Sequence, residues 1–288
     1  ADLANISTRI GKNMKSLKLA MIFFVSFSVG IVHAVDLQAN LKNAALGYLD
    51  SGDAPGFSVS VIQGGKILLK EGLGNADIEN DVPATSETVY RIGSLTKQFT
   101  AAAIMKLETE GSLKLDDSVL TYLKYAPETW RGITIRNLLN HTSGIPSYTS
   151  MQVFLEKQKL HLSHEELLEF FKNEKLLFKP NEKMAYSNSG YYLLGLIIEG
   201  ASQKTYEQYL AKVFFKPLGM ESTFYCDDRK IIKHRASGYE KDRRQWVNAE
   251  TISMNLPFAA GALCSTIGDL AKWNVALTSG KAIPVESW

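Results

Sequence analysis

The spacing of apolar residues changes along the chain, and each change marks an element. Apolar runs at Phe57-Ser-Val-Ser-Val-Ile62 and Ile67-Leu-Leu-Lys70 flank Gln63-Gly-Gly-Lys66, which predicts a β-hairpin turning at the glycine pair. Gly72-Leu-Gly74 follows, with no third glycine and no helix opening after it, so the pattern is not that of a dinucleotide-binding loop. From Ser94 the period becomes four. Leu95, Phe99, Ala103 and Leu107 line one helical face and Gly111 supplies a stop, which puts Ser94 at or near a helix N-terminus. Further helices are predicted over residues 135–140, 164–173, 189–200 and 205–215, whereas residues 251–263 have extended character. Strands, a helix-rich middle and an extended segment together describe a sheet domain split by a helical insertion.

The N-terminal part obeys a different pattern. Met14-Lys-Ser-Leu-Lys18 is a cationic start, residues 19–32 are fourteen mostly apolar positions, and Val32-His33-Ala34 is a small-residue cleavage site. Residues 14–34 therefore read as a signal peptide and residues 1–13 as an upstream or vector-derived segment. The chain from 35 to 288 is then an exported domain, periplasmic or secreted in a bacterium. Fourteen residues are short for a membrane span of about 20, and a retained anchor is the alternative. Membrane contact is expected only through the leader.

Charge narrows the partners. The 288 residues carry a formal net charge of +2, but the first 34 hold Arg9, Lys12, Lys15 and Lys18 against Asp2. Without them the net is −1, which leaves no basic surplus for nucleic acid. At 45% hydrophobic and 22% charged residues, with no linker or repeat, the exported part reads as one compact unit. Its two cysteines, Cys226 and Cys264, commonly pair in such a chain, with two buried free thiols as the alternative.

Two short constellations can carry chemistry. In Ser94-Leu-Thr-Lys97 the side chains lie one helical turn apart on one face, and a helix N-terminus with partial burial favours a neutral amine able to deprotonate the serine. The competing reading is a solvated N-cap serine and a surface lysine. In Tyr186-Ser-Asn188 a phenol and an amide two apart point the same way, one suited to relay a proton and the other to bind a carbonyl. Its competitor is a capping loop before a helix starting near Ser189.

Four segments give these residues a context. Arg91-Ile-Gly-Ser94-Leu-Thr-Lys97-Gln-Phe-Thr-Ala is followed by Thr134-Ile-Arg-Asn-Leu-Leu-Asn-His141-Thr-Ser-Gly-Ile-Pro146. Phe178-Lys-Pro-Asn-Glu-Lys-Met-Ala-Tyr186-Ser-Asn188-Ser-Gly-Tyr and Gly261-Ala-Leu-Cys-Ser-Thr-Ile-Gly-Asp-Leu-Ala-Lys-Trp273 come next. In that order they resemble the serine β-lactamase and penicillin-binding-protein-like hydrolases, in the branch of class C β-lactamases and family VIII esterases, over roughly residues 42–288. The resemblance implies an α+β, β-lactamase/transpeptidase-like fold, an antiparallel sheet flanked by helices. It implies that Ser94 is acylated, Lys97 is its base, Tyr186 is a second proton-transfer group, Asn188 contacts substrate, and the Ser94 N–H is half of an oxyanion hole. It implies no cofactor and no metal. The substrate would be a small molecule or peptide: a β-lactam, a D-amino-acid peptide or a small ester.

The family's third motif, Lys-Thr-Gly or His-x-Gly on a later strand, is found nowhere in the sequence. The resemblance therefore implies that terminal strands and a closing helix are missing, and that the 288-residue chain is poorly soluble and a weak catalyst. A penicillin-binding or sensor-type domain without turnover, or an inactive fragment, is the alternative to an active hydrolase. No His-Glu-x-x-His or Gly-x-Ser-x-Gly occurs. His161 and His164 read as solvated side chains beside a helix start, and Lys241-Asp-Arg-Arg244 as a solvated turn.

Overall fold

The computed structural model describes residues 34–284. The predicted segment 1–13, and the predicted signal peptide up to residue 33, lie outside the described residues. Helix α1 (Ala34–Asp50) leads into the hairpin of β1 (Gly56–Gln63) and β2 (Lys66–Asp77). The strands pair antiparallel from Gly56 opposite Gly74 to Gln63 opposite Lys66. Gly64 and Gly65 turn the chain with φ of 55° and 76°, a pair of positive values that matches the twist of the flanking strands and that glycine adopts freely. Strand β3 (Val82–Pro83) adds to β2, and β4 (Tyr90–Arg91) then runs towards Ser94.

Next come α2 (Thr96–Thr109), α3 (Ile135–Leu139), α4 (Gln152–Lys157), α5 (His164–Leu168), α6 (Asn188–Ser202) and α7 (Tyr206–Leu210). The last third holds β5 (Phe224–Tyr225), the hairpin β6 (Tyr239–Asp242) and β7 (Gln245–Asn248), α8 (Phe258–Gly261), β8 (Leu263–Ser265) and α9 (Ile267–Thr278). Strand β8 lies between β4 and β5 in a second small sheet, antiparallel to both. The helices sit between strands contributed by the two ends of the described chain, so the arrangement is α+β with a helical insertion.

Helix α2 is the centre of the core. Phe99, Ala103, Ile104 and Leu107 are at most 2% exposed; the four-residue spacing of Phe99, Ala103 and Leu107 is the period that predicted the helix. Phe99 stacks on Trp273 of α9 at 4.2 Å between ring centroids and meets Phe215 edge-on at 5.7 Å. Helix α6 packs against both α2 and α8, and Gly195 makes the approach to α8 possible. A Cβ there would lie 2.3 Å from the Phe258 ring and 2.5 Å from the Ala259 Cβ.

Three expected elements differ. The helix expected over 164–173 stops at Leu168, because the chain turns there to bury Phe171, which stacks with Trp130. The helix over 205–215 is α-helical only to Leu210 and continues as a π-helical turn, Ala211–Phe215. Residues 251–263 are mostly irregular and include α8. Their apolar run is buried as a helical turn rather than a strand, with Phe258 packed against Tyr192 and Tyr206 at 5.1 Å each. The 241–244 segment is an exposed hairpin turn.

Cys226 and Cys264 are joined as a disulfide beside the β5–β8 pairing, 38 residues apart. Closing a loop of that size removes denatured-state freedom worth about 4 kcal/mol at most. A Cys226→Ser/Cys264→Ser variant is expected to melt several degrees below the parent in thermal denaturation. An unchanged melting temperature contradicts a stabilising crosslink.

Candidate active site

Ser94 lies on a 3₁₀ turn, Gly93–Leu95, immediately before α2, and is held there from both flanks. The Ile92 N–H donates to the Leu263 carbonyl at 3.0 Å, and the Leu263 N–H donates to Thr96 Oγ1 at 3.2 Å. Strand β8 thus fixes the turn against the small sheet, next to the disulfide. The Ser94 hydroxyl does not cap the helix, since no side-chain cap bond forms at either N-cap position, Ile92 or Leu95. The serine side chain is left facing Lys97 and Tyr186.

Lys97 is not a surface residue. It is 7% exposed, and its Nζ has three oxygen neighbours: the Ala260 carbonyl at 2.7 Å, Asn188 Oδ1 at 2.8 Å and Ser94 Oγ at 3.3 Å. Burial disfavours its charged form and lowers its pKa to about 7. The three contacts fit either protonation state. As a neutral amine, Lys97 donates its two N–H bonds to Ala260 and Asn188 and turns its lone pair to Ser94. One helical turn on, Thr100 Oγ1 donates to the Ala259 carbonyl at 2.7 Å and meets Tyr206 Oη at 2.7 Å. Consecutive carbonyls of α8 are therefore gripped by consecutive turns of α2.

The Tyr186 hydroxyl lies 2.7 Å from Ser94 Oγ, with its ring about half exposed at the surface. Burial of the hydroxyl end raises its pKa, so the group is a phenol and not a phenolate at neutral pH. Lys97 Nζ sits 4.8 Å from the centre of the Tyr186 ring and 5.4 Å from that of Tyr191. Asn188 is the first residue of α6. Its Oδ1 faces Lys97, its Nδ2 donates to Thr149 Oγ1 at 3.0 Å, and its N–H donates to Ser147 Oγ at 3.1 Å. The cap of α6 is Ser187, which accepts from the Gly190 N–H. Tyr186 and Asn188 are thereby free of the capping role that the sequence left open for them.

Ser94 on its 3₁₀ turn, Lys97 on α2, Tyr186 on the irregular segment before α6 and Asn188 at the start of α6 form one hydrogen-bonded group. Sequence reasoning missed the Ala260 carbonyl, Thr149 and the ring of His141, which stands 4.6 Å from that of Tyr186. The carbonyl and Thr149 left no sequence signal, because backbone acceptors and lone threonines have no spacing rule. His141 was visible only as part of a matching segment. His164 is not simply solvated: its Nδ1 bonds the Tyr192 hydroxyl at 2.6 Å and its ring meets Phe258 at 4.8 Å. Among the described residues, no group of three or more His, Cys, Asp or Glu is arranged to hold a metal ion. A groove of about 1360 Å³ runs past Tyr90, Arg91, His164 and Tyr225; none of the four grouped residues lines it. The chemistry lies beside that groove, at the end of α2.

The Beta-lactamase family model matches residues 41–286. Protein flp of Staphylococcus aureus is 37% identical over 196 residues, covering 67% of this chain and 39% of that protein. Penicillin-binding protein 4* of Bacillus subtilis is 37% identical over 201 residues, 67% of this chain and 43% of that protein. The chain thus spans about two fifths of the length of the curated relatives it matches. The D-amino acid amidase of Ochrobactrum anthropi superposes with a TM-score of 0.75 at 29% identity, covering 86% of this chain and 73% of that one. With its fold shared across that enzyme and a family match over most of its length, the chain belongs to the beta-lactamase and penicillin-binding-protein-like serine hydrolase family.

Proposed function

We propose that this chain is an exported serine hydrolase that forms an acyl-enzyme through Ser94 on a β-lactam, a D-amino-acid peptide or a small ester. The observation that carries the reading is the contact of one serine oxygen with both a buried lysine and a tyrosine hydroxyl, at 3.3 and 2.7 Å. Such a serine has a base on one side and an acid on the other. The names of the relatives, a penicillin-binding protein and a D-amino acid amidase, support the substrate classes. Export rests on the leader pattern.

The steps follow from the geometry. Neutral Lys97 takes the Ser94 proton as Oγ bonds to the substrate carbonyl carbon, and the carbonyl electron pair moves onto its oxygen. The Ser94 N–H, at the start of α2, faces that developing charge. The Asn188 Nδ2 has a second hydrogen beyond the one given to Thr149, and offers it to a substrate carbonyl. On collapse the bond to the leaving group breaks, and the leaving group takes a proton from the Tyr186 hydroxyl. The phenolate left on Tyr186 then takes the proton held on Lys97, whose Nζ lies 4.8 Å from the centre of the Tyr186 ring. Water then cleaves the Ser94 ester by the same transfers in reverse.

Peptide mapping after treatment with a fluorophosphonate and with a labelled penicillin tests this. An adduct on Ser94 that disappears in Ser94→Ala is expected; absence of any adduct on Ser94 refutes the reading. Steady hydrolysis of a chromogenic cephalosporin or a p-nitrophenyl ester separates a hydrolase from a domain that is acylated once and held. Lys97→Ala is expected to slow acylation by about 10²–10⁴-fold.

The pH dependence has a fixed sign. Lys97 accepts a proton only when neutral, and its pKa is lowered to about 7. The acylation rate should fall about tenfold per pH unit below that value and level off above it. A profile flat from pH 5 to 8 (about two units to one below and above the midpoint) contradicts a lysine base.

A further inference from the structure

Tyr186 is the one member of the group that sits on an irregular segment, outside any helix or strand. Something other than regular structure must hold its hydroxyl on Ser94. The residues on either side of it both bond to His141. The Ala185 N–H donates to the His141 carbonyl at 3.0 Å, and the Ser187 N–H donates to His141 Nδ1 at 3.2 Å. Between these two bonds the imidazole lies against the Tyr186 ring at 4.6 Å and the Tyr191 ring at 5.1 Å, tilted 37° to each. A backbone grip before and after the tyrosine, with a ring between, leaves Tyr186 little freedom.

His141 reaches this position at a conformational cost. Its φ is 61°, in the left-handed region that side chains other than those of glycine, Asn, Asp and His seldom enter. The surrounding turn is tied down separately. Asn137 Nδ2 donates to Asn181 Oδ1 at 2.6 Å and to Thr142 Oγ1 at 3.0 Å, and the Asn181 N–H donates to the Thr142 carbonyl at 2.9 Å. The turn is therefore docked on the 181–187 segment without the imidazole, which leaves the ring a narrower task. Accepting from Ser187 requires Nδ1 to be unprotonated, so the ring is neutral with its proton on Nε2.

We propose that His141 is the positioning residue for Tyr186: its carbonyl and Nδ1 clamp the backbone on both sides of the tyrosine and its ring packs the phenol onto Ser94. This rests on the reading of Ser94 and Tyr186 given above. His141 is hydrogen-bonded to neither Ser94 nor Lys97 and acts through Tyr186 alone. A misplacement of a reacting group by about 1 Å costs about 10²-fold in rate, and that is the expected scale.

Two variants separate the clamp from a general structural role. His141→Ala removes the ring and the acceptor. His141→Asn keeps an acceptor near the position of Nδ1 and tolerates positive φ. The first readout needs no activity: in ¹³C-tyrosine-labelled protein, with Tyr186 assigned by Tyr186→Phe, His141→Ala should shift or broaden the Tyr186 ring signals and leave those of Tyr148 and Tyr206 in place. His141→Asn should restore a single defined Tyr186 environment. The second readout is acylation by a p-nitrophenyl ester. The acylation rate constant of His141→Ala should fall about 10²-fold with little change in substrate binding, and His141→Asn should recover to within about tenfold of the parent. Unchanged Tyr186 signals in a folded His141→Ala protein overturn the proposal, as do equal losses in His141→Ala and His141→Asn. A parent protein with no acylation at all overturns the hydrolase reading instead, and the tyrosine spectra still decide the clamp.

Discussion

Burying an amine is costly unless every hydrogen it carries has an acceptor, and the Lys97 side chain sets that condition for this molecule. Its nitrogen lies where three parts of the chain meet: the first turn of α2, the first residue of α6 and a carbonyl of α8. Remove any one and a buried nitrogen or oxygen loses its partner. The strands tie the arrangement together without taking part in it. Strand β8 continues directly from α8, bonds both flanks of Ser94 and is crosslinked through Cys264.

Several remote features become intelligible from this requirement. Gly195 is bare because α8 must approach α6 closely enough to present the Ala260 carbonyl. Thr100 repeats the Lys97 contact one turn deeper and fixes the neighbouring carbonyl of Ala259. Phe258 anchors α8 from the other side by filling the space between Tyr192 and Tyr206. Packing of this kind also removes water from around the amine, which is what depresses its pKa. The same burial therefore gives both the position and the basicity of Lys97.

Some of this was legible in the sequence because it depends on local periodicity. The Gly-Gly hairpin, the four-residue stripe of Phe99, Ala103 and Leu107, and the one-turn spacing of Ser94 and Lys97 are all properties of neighbouring residues. The interval between Tyr186 and Asn188 belongs with them, although its meaning changed: Tyr186 is held by tertiary contacts and Asn188 opens a helix. What was not legible depends on distant residues. The helix expected to run to 173 ends early because Phe171 finds a better place against Trp130, and the run before Leu263 coils because Phe258 is buried between Tyr192 of α6 and Tyr206 of α7. Acceptors such as the Ala260 carbonyl carry no residue signature at all. The imidazole of His141 lay in a recognised segment, yet its contact with the tyrosine 45 positions later exists only once the chain has folded.

The central claim is that Lys97 is a buried amine neutral near physiological pH, and its own titration tests that most directly. Protein labelled with ¹³C and ¹⁵N at lysine, with Lys97 assigned by substitution, should show the Cε and Nζ signals of that residue titrating with a midpoint near 7, well below the ordinary lysine value of about 10.4. A Lys97 midpoint at the ordinary lysine value would contradict the account, because the amine beside Ser94 would then be a permanent cation and no base.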